Sequence, residues 1–417
     1  MRTPLRRRAS RALVWLALAS VSMPAIAGPL TFDAALQKAA ADAPSIKAKS
    51  LGADAMRSAR SAAGQLPDPK LALGIDSFPI SGPLALAPQR DNFTWARIGV
   101  SQDIPNLAKR RAQRGRAEAD IGVADAETGM EARIVKVQAA VAWISLAYAE
   151  RRLTALDTVL QRLDRFVKAS PGAVASGASR PAQVLAGREA VAKLQDRRDE
   201  LVSMVGCARA DLTRWTGEAD PDIAGPIPDF TVEPARLRAS LRQHPTLVLA
   251  GATIGRADAD LRIAEAERRP DFGVDLSYQR RDPRFGDYVS AGVTIGLPLF
   301  KKRRQEPLIA ARAANANSAR AGADASLREL AADLEAGLAD HAMHHAQWSR
   351  ARDVLQPLAE QRVTLETGSY SAGRATLTDI ADAHAALADA VLTTLDRRAT
   401  VAADGARLIL LFGSADQ

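Results

Sequence analysis

The chain has 417 residues, of which 25% are charged and only 4% aromatic, with a formal net charge of +8. Few aromatics in an alanine-rich, charged chain fit long helices packed through small side chains better than a large globular enzyme core. Five arginines and no acid lie in the first 27 residues, so removing that segment takes +8 to +3, which argues against a nucleic-acid binder needing a concentrated basic face.

Arg2, Arg6, Arg7, Arg8 and Arg11 precede an apolar stretch from Leu13 to Met23 and the small-residue signal Ala25-Ile26-Ala27. This reads as a secretory signal, residues 1–27, cut after Ala27; the apolar run is too short to span a bilayer. Cys207 is the only cysteine, so no disulfide forms within the chain and no cysteine follows the cleavage site to carry a lipid anchor. The rest of the sequence has no apolar run of about 20 residues. If the chain crosses a membrane, it does so with strands.

In chain order, residues 30–66 read as a helix with Pro44 near its first turns, stopped by Pro67-Asp68-Pro69. Leu71, Leu73 and Ile75 then alternate with polar or small residues, and after a Pro- and Gly-rich loop so do Ala96, Ile98 and Val100. Strands of about ten residues suit a bilayer-crossing hairpin. Residues 106–169 follow as one long helix with Ile134, Val137, Val141, Ile144 and Tyr148 at heptad-like spacing. At 1.5 Å per residue it measures about 95 Å, three times a bilayer core. A Gly/Ser turn at 170–179 and a returning helix complete this half.

The pattern then recurs. Ala43-Pro44 corresponds to His244-Pro245, Pro67-Asp68 to Pro270-Asp271, Gly99-Val100 to Gly292-Val293, Pro105 to Pro298 and Gly177 to Gly373. The chain therefore divides into two copies of one unit, 28–216 and 234–417, joined by a linker at 217–233. In the second copy Phe272, Val274, Leu276 and Tyr278 pair with the strand from Tyr288, and Leu327, Leu330, Leu334 and Leu338 mark the long helix, with a kink expected at Pro357. Eight of the aromatics fall in the two hairpin windows, as expected at the interfaces of a membrane barrel. Each repeat becomes a two-column antiparallel rod with a hairpin at one end and a helical turn at the other.

These ordered passages, together with GVSQDIPNLAKR at 99–110, LPLFKKRRQEP at 297–307 and YSAGRATLTDIADAHAALADAVLTTL at 370–395, resemble the TolC-like outer-membrane efflux family. Within it they resemble the heavy-metal branch of CusC- and CzcC-like channels. The resemblance implies a mainly α protein with a transmembrane β part: a homotrimer whose two hairpins per protomer form a twelve-stranded barrel, continued by a helical tunnel across the periplasm. It implies no enzyme and no cofactor, and passive export of substrates, heavy-metal cations in that branch, delivered by an inner-membrane pump of the RND class through a periplasmic adaptor, a membrane fusion protein. Without it the residues also suit a periplasmic or secreted coiled-coil scaffold with a soluble β-domain. No Walker A, nucleophile elbow or HExxH motif points to catalysis.

The resemblance also assigns residues. Asp379 and Asp382, three apart on the final helix, match the family's acidic periplasmic constriction, where six carboxylates in a trimer would raise one another's pKa and attract cations. Tyr370 matches a gating tyrosine, and Arg374 lies one position from an expected gating arginine. Gln183 stands where the first repeat can carry an acid. Gly177 and Gly373 mark the turns that would dock the adaptor. His341, His344 and His345 are read as a solvated helix flank and not as a metal site, although His341 and His345 share a helix face.

Overall fold

The computed structural model describes residues 29–175 and 180–413; the expected signal segment and Gly177 lie outside them. The chain begins with α1 (Phe32–Asp42) and α2 (Pro44–Arg60), continues through β1 (Lys70–Asp76) and β2 (Trp95–Ile104), and enters the 69-residue α3 (Leu107–Ala175). The return is α4 (Pro181–Thr216). After a loop come α5 (Pro234–Ser240), a 3₁₀ turn (Leu241–Gln243), α6 (Pro245–Ala266), β3 (Asp271–Arg280) and β4 (Tyr288–Gly296). Next are α7 (Gln305–Arg350), a π turn (Ala351–Leu355), α8 (Gln356–Ser371) and the returning α9 (Leu377–Phe412).

Two helices replace the single one expected over 30–66, and the same break precedes α6. Ala43 and His244 both take extended backbone, ψ 120° and 137°. A residue before proline is pushed out of the helical region, while the proline suits the first helical position, where its missing N–H costs nothing. His244 adds a cap: its Nδ1 accepts from the Thr246 N–H at 3.2 Å.

Two other prolines are carried inside helices. Pro171 lies near the end of α3, where the Ser170 hydroxyl donates to the Val167 carbonyl at 2.6 Å. That carbonyl is the one a proline at 171 cannot serve. Pro357 resolves differently from the expected simple kink: the helix widens into the π turn just before it, with the Gln356 N–H bonded back to Ala351. There Arg397 of α9 donates to the Gln347 carbonyl at 3.0 Å, and the guanidinium groups of Arg352 and Arg398 lie over the Trp348 ring, 4.3 and 4.2 Å from its centre. Such stacked cations stabilise by about 0.5–1 kcal/mol each at exposed sites.

The core is a series of clusters along the rods. Midway, Leu30, Phe32, Trp143, Leu146, Leu212 and Ala406 pack together, and the Trp143 indole donates to the Leu30 carbonyl at 2.9 Å. The 217–233 loop, expected as a plain connection, is part of this core. Leu30 bridges Ile223 in parallel, Phe230 meets Phe32 edge-on at 5.6 Å, and Phe230 lies so close to α9 that a side chain at Gly405 would meet it at 2.6 Å. Toward the turns, Leu156, Leu163, Leu194, Leu201, Ile380 and Leu387 form a second cluster; Leu237, Leu330, Leu334, Leu408 and Phe412 form a third.

The four strands make one antiparallel sheet in the order β1-β2-β3-β4, so the outer edges of β1 and β4 have no partner among the described residues. Cross-strand partners share a face. The register Leu71↔Val100↔Leu276↔Ala291 and Leu73↔Ile98↔Tyr278↔Val289 therefore runs an apolar band across the sheet, extended by Val274↔Val293 and Phe272↔Ile295. Its residues are exposed, Leu71 at 64%, Leu73 at 71% and Val293 at 69%. The other face carries Asp76, Arg97, Asp275, Ser277, Ser290 and Thr294.

Candidate functional site

The expected gate lies where α8 turns into α9, at the end of the rod farthest from the strands. Gly373 occupies the left-handed region at φ +70°. Its N–H bonds Tyr370 at 3.0 Å and the Arg374 N–H bonds Ser369 at 2.8 Å. This is the Schellman pattern, which favours glycine and satisfies the last carbonyls of α8. The same residue is exposed, with open space where a Cβ would stand. Helix termination accounts for its backbone and leaves its outer surface available to a partner.

Thr376 then starts α9. Its hydroxyl accepts from the Asp379 N–H at 3.3 Å, and one Asp379 oxygen accepts from the Thr376 N–H and hydroxyl at 2.7 and 2.8 Å. This is a capping box in which the acid stands in for the usual glutamate. Its hydrogen bonds from Thr376 hold the Asp379 carboxyl below the usual carboxylate range within the protomer. Repulsion among carboxylates would act in the opposite direction only where several copies meet. The signal for this second role is the Thr-x-x-Asp spacing before an apolar run. Gln183 occupies the same place in α4, its Oε1 accepting from the Arg180 N–H at 3.0 Å. An amide suffices for the cap there.

The other expected gate residues are spread around this turn. Asp379, Asp382 and Arg374 are exposed, and no ion pair among the described residues engages them. Lys193 on α4 is raised first by its hydrogen bond to Glu189 and also feels the Asp382 charge. Tyr370 is half-buried, its ring edge-on to Phe166 at 6.3 Å. Phe166 in turn meets His384 at 5.7 Å, and His384 is 1% exposed with Nδ1 3.0 Å from the Ile380 carbonyl. Burial pushes the His384 pKa below its ordinary value, so the ring is neutral at pH 7. The aromatic chain Tyr370-Phe166-His384 thus couples the turn to the core between α3 and α9. Sequence spacing does not reveal it, because Phe166 is some two hundred residues away.

The three histidines of α7 do not converge. His344 Nδ1 is 2.7 Å from an Asp404 oxygen on α9, while the His341 and His345 rings are 6.5 Å apart. Burial pushes the His341 pKa down. Among the described residues no group of three or more His, Cys, Asp or Glu could hold a metal ion, and no helix is long and apolar enough to cross a membrane.

The two halves are tied together at the end of the rod nearer the strands. Asn106 is buried between β2 and α3, and its side-chain amide donates to Asp271, at the start of β3, at 2.8 Å and to the Ala266 carbonyl at 3.2 Å. Its own Oδ1 accepts from the Lys109 N–H at 2.9 Å, capping α3.

Residues 237–414 match the outer membrane efflux protein family. The chain is 23% identical over 366 residues to the cobalt-zinc-cadmium resistance protein CzcC of Cupriavidus metallidurans, covering 87% of this chain and 84% of that one. Its fold superposes on CusC with a TM-score of 0.78 at 13% identity, over 92% of each chain. The MtrE outer membrane channel of Neisseria gonorrhoeae gives 0.73 at 14% identity, covering 92% of this chain and 89% of that one. The family is one of passive channels rather than enzymes. Over residues 237–414 the chain thus carries the outer membrane efflux protein domain, on a fold that it shares along nearly its whole length with the CusC and MtrE channels.

Proposed function

We propose that three copies of this chain close a twelve-stranded barrel in the outer membrane, with the helices of its two repeats, 28–216 and 234–417, forming a tunnel into the periplasm. The observation that carries this reading is the exposed apolar band on a sheet whose two edges are both open. Lipid accepts such a face but cannot satisfy the unpaired edge groups, which pair only when neighbouring copies close the ring.

In this reading the channel passively exports substrates delivered by an inner-membrane RND pump through a periplasmic adaptor. Heavy-metal cations are the proposed cargo, by similarity to the cobalt-zinc-cadmium resistance relative. The turns at Gly177 and Gly373 receive the adaptor; Asp379 and Asp382, with Tyr370 and Arg374 beside them, form the constriction. Two tests address this. A deletion strain challenged with metals, drugs and dyes should become sensitive to divalent metals. Purified trimers should lose cation selectivity when Asp379→Asn and Asp382→Asn are combined; unchanged selectivity and unchanged block by multivalent cations would sink the gate.

A further inference from the structure

At the periplasmic rim of the sheet, the segment after β4 differs from its counterpart after β2. β4 ends at Gly296, paired with Asp271, the residue at which β3 begins. Beyond it the chain exposes Leu297 at 63%, Leu299 at 75% and Phe300 at 67%, and then Lys301, Lys302, Arg303 and Arg304, all exposed. None of these four cations makes an ion pair among the described residues, including with Glu306, the acid that follows. After β2, by contrast, Lys109 pairs with Asp271 at 3.4 Å and Arg110 donates to the Gly64 carbonyl at 2.8 Å. At the far tip of the hairpins arginines are likewise engaged, Arg284 with Asp282 and Arg281 with Asn92.

We propose that residues 297–304 are a phospholipid-binding collar: Leu297, Leu299 and Phe300 enter the periplasmic leaflet of the outer membrane, and Lys301, Lys302, Arg303 and Arg304 bind the phosphates of anionic phospholipid headgroups. The inference rests on the channel reading above, which sets the leaflet at this height. Apolar side chains followed directly by unpaired cations match the layering of a leaflet, hydrocarbon and then phosphate. A neighbouring copy fits the cations less well. Pairing its open β1 edge with β4 would bring up Lys70, already bonded to Asp103 at 2.7 Å, and the α2 residue Arg60, already bonded to Glu118 at 2.6 Å. Among the described residues that edge offers basic residues, acids already engaged and a single free acid, Asp68, against the four cations.

The test uses the full-length trimer in detergent, melted in mixed micelles containing phosphatidylglycerol or phosphatidylethanolamine. Phosphatidylglycerol should raise the melting temperature by several degrees more than phosphatidylethanolamine does. That difference should vanish in the variant combining Lys301→Gln, Lys302→Gln, Arg303→Gln and Arg304→Gln, and shrink in high salt as screening requires. Leu299→Gln with Phe300→Gln should instead weaken stabilisation by both lipids. Equal response to the two headgroups in the wild type, or an unchanged difference in the glutamine variant, overturns the proposal. Loss of the trimer in the glutamine variant without lipid would assign the face to a neighbouring copy and overturn it too. If the wild type does not fractionate with the outer membrane, the channel reading itself fails; a conducting trimer indifferent to headgroup removes only the collar.

Discussion

One Asp271 oxygen accepts from Asn106 twice, from its backbone N–H at 2.7 Å and from its side-chain amide at 2.8 Å, joining the start of α3 to the start of β3. Asn106→Ala removes the amide's bonds to Asp271 and Ala266 and the cap on the Lys109 N–H, which should cost about 1–2 kcal/mol. The variant should melt at a lower temperature in detergent. Asn106→Asp should be worse at neutral pH, because it sets one carboxylate against another. Equal stability of all three proteins would show that the junction is held elsewhere.

His384 predicts a pH dependence at the turn end of the rod. Its folded pKa is depressed by burial, so the unfolded state binds the extra proton first. The stabilisation is complete above the ordinary histidine value near 6.5 and is lost progressively as pH falls below it. Amide exchange in the first turns of α9 should accelerate between about pH 7 and pH 5. His384→Leu should flatten that profile, whereas a profile unchanged by the substitution would falsify the assignment to this ring.

The cap on α9 complicates any test of the gate, because Asp379→Asn changes both a charge and a hydrogen-bond acceptor. Thr376→Ala separates the two. It should destabilise the start of α9 by about 1 kcal/mol and let the Asp379 pKa rise toward its ordinary value, as followed by carbon-13 titration. The Asp379 contribution to stability is present above the ordinary carboxylate pKa and is lost as pH falls through the lowered one, a window well below that of His384. If Thr376→Ala alone alters conductance as much as Asp379→Asn, the carboxylate acts through the cap.

Val293 stands opposite Val274 in the apolar band. An arginine there should cost about 2–4 kcal/mol near mid-bilayer and reduce trimer yield in outer-membrane extracts, while an arginine at Thr294, on the opposite face, should assemble. Normal yield from Val293→Arg would mean that the polar face meets lipid.

Alternation and proline punctuation were enough to place the strands, because Leu71, Leu73 and Ile75 or Val289, Val293 and Ile295 can satisfy only one face at a time. The long helices were legible for the same reason in a 3.6-residue period. What the sequence hid is tertiary. Nothing near Phe230 shows that it inserts beside Gly405, and a linker rich in proline reads as an exposed connection until its apolar residues find the core. At the candidate gate, the positions of Asp379 and Gly373 were visible as motifs. The Thr-x-x-Asp spacing signals the cap at Asp379 and a glycine after a helix signals the cap at Gly373, but the Tyr370-Phe166-His384 contact joins elements whose order in the chain does not disclose their proximity.

The π turn at Ala351–Leu355 sets the phase of a seam. Leu330 and Leu334 pack on α9 on one side of it, and Ala359 and Val363 pack beside α9 residues on the other. From Leu330 to Ala359, and from Leu334 to Val363, the separation is four heptads and one residue. In an uninterrupted supercoil that extra residue would rotate the second pair away from α9 by about 100°. A π turn holds one residue more than the α-helical turn it replaces, and so absorbs the excess. Deleting a single residue between Ala351 and Leu355 should therefore restore the heptad spacing, with both apolar pairs still facing α9 and a kink at Pro357 in place of the π turn, whereas the same deletion a few turns away should force one pair off the seam.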